Sequence, residues 1–218
     1  MRRLPFLAIA VLAVALLAVS PASASGVKQW RVTVENLTAA GSQPLSPPLL
    51  VVHSRRADVW SVGEIASHGV AAIAEDADNR ILESALARVR GIRSVATGAG
   101  GPVMPGTAAT YTVSARGPYA RLSLLTMLVN TNDAFTGLDS VRLRGRERVV
   151  YTRAYDAGSE RNNELAAFIP GPCCGNPFVR DPEGALVRKH PGIQGGVDLD
   201  PAVYGWSGPV ARITIERV

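Results

Sequence analysis

Cysteine is nearly absent: the 218 residues hold two, Cys173 and Cys174, and they are adjacent. A pair without spacing cannot staple distant strands as the disulfides of small secreted proteins do, so the fold must stand on its hydrophobic core. A vicinal bridge would close a small strained ring, with less than the usual Cα separation of about 4.4–6.8 Å. A loop-stiffening bridge and a free or intermolecular thiol are both compatible with the sequence. Neither makes a metal site alone, because there is no third cysteine and no histidine close in sequence.

Histidine is scarce too, limited to His53, His68 and His190. Ser54 follows His53 directly, but neighbouring strand residues point to opposite faces, so the two cannot serve as nucleophile and base. Neither Gly-x-Ser-x-Gly nor His-Glu-x-x-His occurs. His68 reads as an exposed or packing residue of a helix. His190, in RKHPGIQGG, reads as structural, bonding a carbonyl or a partner of Asp198. No catalytic residue is assigned. The remaining route to an enzyme is a secreted hydrolase using paired carboxylates roughly 5–9.5 Å apart. Aromatic interleaving is missing around the basic residues, and Arg142, Arg144, Arg146 and Arg148 mostly alternate with apolar or acidic neighbours. That is the pattern of a solvated strand face rather than of a nucleic-acid stripe.

Only one long hydrophobic run occurs, residues 4–19, behind Arg2-Arg3 and ahead of Ala22-Ser23-Ala24. Positive start, apolar middle and small-residue exit together read as a secretory signal peptide over residues 1–24, too short for a convincing membrane span. An uncleaved anchor is the competing reading. Cleavage leaves 194 residues beginning near Ser25 and lowers the formal charge from +5 to +3. One domain over residues 25–218, in the periplasm or outside the cell, is the simplest organisation.

Short period-two segments dominate what remains. In WRVTVENL (30–37), Trp30, Val32 and Val34 point one way and Arg31, Thr33 and Glu35 the other. Similar runs occur at 49–53, 109–115, 121–129, 140–143, 149–153 and 210–217, separated by turn signals such as Pro47-Pro48, Pro105-Gly106 and Gly208-Pro209. This spacing predicts a mainly all-β protein, an antiparallel β-sandwich. Residues 61–90 break the pattern. Val62, Ile65, Val70 and Ile73, then Ile81, Leu82, Leu86 and Val89, recur at helical spacing. Two helices are expected there, covering one end of the core, with Asp78-Asn79 capping the second and Gly91 ending it. Residues 170–208 are rich in Gly and Pro and need turns, side-chain bonds or an ion to hold them.

Two loops carry the chemistry: NTNDAFTGLD (130–139) and YDAGSERNNE (155–164). Calcium takes six to eight oxygens from carboxylates, amides, backbone carbonyls and water. The first loop follows strand 122–129 and the second follows 149–153, so both emerge at one edge if those strands pair through an intervening hairpin. Asp133, Asp156 and Glu160 would supply the charge. Asn130 and Asn132 would shape the loop, and Asp139, at the start of a strand, would lie outside the set. Three like charges so close need a cation. The same residues also suit plain turns, and the spacing matches no EF-hand.

The runs WRVTVENLT, QPLSPPLLVVHS, VGEIASHGVAAIAEDAD, LLTMLVNTNDAFTGLDSVRL, AYDAGSERNNE and PVARITIERV resemble the spondin N-terminal domain family, in its bacterial branch, related to the domain of F-spondin and mindin. The resemblance covers about residue 30 to residue 218. It implies a C2-like β-sandwich holding one calcium ion. Asp133 matches the Asp of the family's Asp-aromatic segment, Asp156 that of its Asp-Ala-Gly segment, and Glu160 stands where the animal proteins have Asp. Phe135, displaced by one alanine from the family's aromatic, is expected to pack within the loop. The implied role is a secreted calcium-binding interaction or adhesion domain for an extracellular protein or glycan, without nucleic-acid binding, stable membrane insertion or catalysis. The thrombospondin-type repeats that accompany the domain in animals do not occur in these residues, so the animal partners are not carried over. A calcium-stabilised assembly module with a purely structural role is the third reading.

Overall fold

A computed structural model describes residues 26–175 and 178–218; the signal segment expected over residues 1–24, and the start near Ser25, lie outside the described residues. In chain order the elements are β1 (Val27–Asn36), β2 (Leu49–His53), α1 (His68–Asp76), α2 (Asn79–Leu86), β3 (Ile92–Thr97), β4 (Ala108–Arg116), β5 (Arg121–Met127), β6 (Ala134–Arg142), β7 (Glu147–Thr152), β8 (Tyr155–Asp156), β9 (Arg188–Lys189), α3 (Pro201–Tyr204) and β10 (Ala211–Arg217). The strands form two antiparallel sheets, one ordered β4-β1-β10-β7 and the other β3-β2-β5-β6-β8-β9.

The four-stranded sheet follows its alternation. Trp30, Val32 and Val34 are buried while Arg31 is exposed, and on the paired strand Ile215 and Ile213, opposite Val32 and Val34, are buried with Ala211, opposite Asn36. These inward side chains meet Leu50, Val52, Leu122 and Leu124 of the six-stranded sheet to make the main core, each such burial contributing about 1.5–3 kcal/mol.

The six-stranded sheet departs from the expectation, because it is covered on both faces. Leu49, Val51, Leu125 and Phe135 point away from the main core and pack beneath Val70, Ile73 and Ala74 of α1 and Leu82 and Leu86 of α2. The helices therefore lie on the outer face of a sheet and not at the end of the sandwich. As a result β2 is buried at every position, and its side chains read as a continuous apolar run, as strands sandwiched between layers do.

The helices are also shorter than their apolar spacing suggested. Ser67 caps α1, its hydroxyl accepting the Val70 N–H at 3.3 Å, so Val62 and Ile65 fall ahead of the helix and are exposed. Asp78 caps α2 as expected, accepting the Arg80 N–H at 2.9 Å. That helix stops at Leu86, and Gly91, at φ +102°, leads into the unexpected strand β3. In the Gly/Pro-rich region Cys173 and Cys174 form a vicinal disulfide and pack against Ile169, Ile193 and Leu199.

Candidate metal centre

Strand pairing creates the site by a route different from the expected hairpin. Residues 134–139 are strand, not loop, and β7 pairs with β10 in the opposite sheet. After Thr152 the chain crosses to the other sheet, where β8 pairs with β6, Ala134 lying opposite Asp156. The backbone N–H of Ala157 then donates to the Asp133 carbonyl at 3.1 Å. Asp133, one residue before β6, and Asp156, in β8, are thereby brought side by side. Phe135 stands in β6 as a fully buried strand residue, edge-on to Trp60 at 4.9 Å, rather than as loop filling.

The turn after β8 folds over Asp133. Its Oδ2 accepts the backbone N–H groups of Ser159 at 2.9 Å and Glu160 at 3.0 Å and the Ser159 hydroxyl at 3.3 Å. Gly158 makes that turn at φ +69°, where a Cβ would stand 2.4 Å from the Ala185 carbonyl oxygen, so only glycine fits both the dihedral and the space. Its N–H donates to Asp156 Oδ1 at 2.6 Å. Asp133, Asp156 and Glu160 are all at most 1% exposed. Of the three acids named from the sequence, Asp133 and Asp156 lie side by side, and Glu160 is tied to Asp133 through its backbone N–H.

Asn130 and Asn132 shape the rim. Asn130 donates to the Ser42 carbonyl at 2.6 Å and accepts the Cys173 N–H at 3.2 Å; Asn132 donates to Asn163 Oδ1 at 3.1 Å and accepts the Glu164 N–H at 3.2 Å. Asp139 lies in β6, exposed, taking the Ser61 hydroxyl at 3.0 Å.

Several contributors escaped the sequence reading. Arg188 binds Asp156 Oδ2 at 2.9 Å and Glu183 at 2.7 Å. Arg180 sits among Glu75, Asp76 and Glu160, its Nε 3.1 Å from Glu75 and 3.7 Å from Glu160. Asn162 donates to Asp156 Oδ2 at 2.7 Å. Buried His190 holds Asn162 in turn. The Gly192 N–H donates to His190 Nδ1 at 2.9 Å, leaving Nε2 to donate to Asn162 Oδ1 at 2.8 Å. His190 is structural, as its context suggested, but it acts through Asn162, while Asp198 caps the Ala166 N–H instead. Arg180, Arg188 and His190 come from the stretch without periodicity, where spacing carries no signal. The requirement for a cation beside three acids was the one available clue.

The guanidiniums do not complete the balance. Burial, then the charge of Asp156, pushes Asp133 up to about 7. Burial raises Glu160 to about 8, the effect of Arg180 opposing it and Glu75 and Asp133 adding to it. Burial lowers His190 to about 4, with Arg188 adding to the effect, so its imidazole is neutral. Among the described residues, five buried side-chain polar atoms lack a hydrogen-bond partner, and two of them are Asp133 Oδ1 and Glu160 Oε2. An orphaned buried carboxylate oxygen is expensive unless a cation meets it, and hard oxygen donors suit calcium. Asp156 differs in having both oxygens already bonded. Among the described residues no group of three or more His, Cys, Asp or Glu side chains is placed to hold a metal ion.

The family model described as Spondin_N matches residues 42–161, a span that contains all three acids. No curated protein matches the chain.

Proposed function

Because the chain belongs to the spondin N-terminal domain family, whose model spans more than half of it, we propose that it is a non-catalytic extracellular interaction domain whose rim is pinned by calcium. The ion would be held by Asp133, Glu160 and Asp156. The observation that carries this reading is the pair of unpartnered buried oxygens, Asp133 Oδ1 and Glu160 Oε2, on residues tied together by the Glu160 N–H to Asp133 Oδ2 bond. A bound divalent cation supplies the charge that two carboxylates raised toward neutral pH require. The chain's own part is to aim the acids: the 158–160 turn fixes Asp133, and Arg188 and Asn162 fix Asp156.

Burial of the three acids favours a stabilising over a ligand-bridging ion, since residues with at most 1% exposure present no open coordination face to a partner. Adhesion then falls to the surface that the pinned loops support. Export to an oxidising compartment agrees with the formed Cys173–Cys174 bridge and with the leader-like residues 1–24; among the described residues no helix is long and apolar enough to cross a membrane.

Calorimetric titration with calcium tests the reading. Wild-type protein should bind one ion, in the sub-millimolar to millimolar range of about 10⁻⁴ to 10⁻³ M common for extracellular sites. Asp156→Ala should lower both affinity and melting temperature, and Glu160→Gln, which keeps the shape, should weaken binding at least about tenfold. Unchanged titrations in both variants would rule the site out. If calcium raises the melting temperature but improves binding to no matrix protein or glycan, the assembly-module reading replaces adhesion.

A further inference from the structure

The far end of β5 and β6 carries the opposite charge. Across an antiparallel ladder Arg121 lies directly opposite Arg142 on one side and His53 on the other. Like charges opposed in this way repel. Three loops close over the same end: the Arg55-Arg56 turn after β2, the Arg90-Gly91 turn before β3, tied to Ser54 by its N–H to the Gly91 carbonyl at 2.8 Å, and the Gly117–Ala120 hairpin. They enclose a cleft of about 600 Å³ lined by Arg55, Arg56, Arg90, Arg121, Arg142 and Tyr119. No carboxylate lines it.

Among the described residues the five cleft arginines stand in no ion pair, as is also true of surface arginines such as Arg144, Arg146 and Arg148; what sets them apart is that all five line one cleft. Asp139, whose charge acts on Arg121, lies outside the cleft lining and takes the Ser61 hydroxyl at 3.0 Å. The position of Arg121 is also built. A bulge at Leu122–Leu124 puts Ser140 at φ +51°, unusual for a serine. The Ser140 N–H is held by Ser123 Oγ at 2.9 Å, and its carbonyl takes the Arg121 guanidinium at 2.7 Å. Bulges recur where a side chain must be re-aimed, and a strained residue persists only where its surroundings impose it.

We propose that this cleft binds a compact polyanion, a small sugar or polyol carrying several sulfate or phosphate groups. Guanidiniums pair with such oxyanions through two parallel N–H bonds. The cleft volume falls within the range of about 300–1,000 Å³ for small-molecule sites, far above a lone tetrahedral anion, and Tyr119 offers a flat apolar wall for a ring. The site is separate from the acidic rim, about 20 Å away along the seven residues of β5, and needs no calcium.

The test uses sucrose octasulfate and inositol hexakisphosphate as probes, titrated calorimetrically in calcium-free buffer at about 150 mM NaCl, where diffuse attraction is screened. At least one should bind with a Kd of about 10 µM or tighter, the preferred one naming the oxyanion. The exposed pair Arg90→Ala with Arg142→Ala should weaken it about tenfold or more. Arg153→Ala with Lys189→Ala, an equal loss of charge near the acidic rim, should change it less than about twofold. The proposal is overturned by binding of neither probe, by equal weakening in both double variants, by inorganic sulfate binding as tightly as the octasulfate, or by capture on anionic phosphatidylglycerol vesicles without binding of either soluble probe.

Discussion

Asp133 and Glu160 make the metal-free protein sensitive to pH in a direction opposite to acids whose charge is stabilised by ion pairs. Their folded values, about 7 and about 8, lie above the roughly 4 of an unfolded carboxylate. Over that interval the folded state holds more protons than the unfolded one, so stability falls as pH rises. His190, at about 4 when folded, works in the other sense but only below about 6.5, where the unfolded imidazole begins to charge. From pH 6.5 to 8 the two carboxylates therefore dominate. Calcium-free protein should lose roughly 3 °C or more of melting temperature across that window, and Glu160→Gln should flatten the slope. A flat or rising wild-type profile would contradict the assigned environment. Calcium requires both groups ionised, so binding at pH 7 should release protons, visible as a titration heat that changes with the buffer's ionisation enthalpy.

Among the elements, β6 has the tightest fit. A Cβ on Gly137 would stand 1.8 Å from the Leu124 carbonyl oxygen, a backbone atom that cannot swing aside. Gly137→Ala should destabilise by about 3 kcal/mol or more, read from chemical denaturation; a loss under about 1 kcal/mol would show that β5 and β6 have slack there. The elements also show what a sequence can and cannot express. β1 and β10 were legible because one face is wet, which prints a two-residue alternation. β2 lies between two layers, and its LLVVH run did not show that the two expected helices would cover its second face instead of one end of the core. β8 and β9 are two residues each, too short for any period, yet β8 is what carries Asp156 to Asp133. The acids were readable because their loops hold recognisable motifs. Arg180, Arg188 and the His190–Asn162 relay were not, because their partners lie across the fold rather than at a fixed spacing.

For the whole molecule, the two proposed sites lie at opposite ends of the same two strands: the buried acids near Asp133, with Arg180 and Arg188 beside them, and the arginine cleft near Arg121. Calcium at a hundredfold excess over its Kd should add about 2.7 kcal/mol, or about 5–10 °C in melting temperature for a chain of this size. The two sheets should melt together, in one calorimetric transition with and without the ion, because they are joined through side chains as well as core: Thr152 of β7 bonds Thr136 of β6 at 2.7 Å. Two separated transitions would refute that coupling.

Only Arg153 and Ala154 separate the end of β7 from the start of β8, a tether of about 7 Å when fully drawn out. Its first end is laddered to the final strand, where Ala211 faces Thr152, and its second opens on Asp156. Mechanical load entering through the last strand therefore reaches the acidic rim with little slack to absorb it, so tension on the molecule would be felt at the proposed ion site.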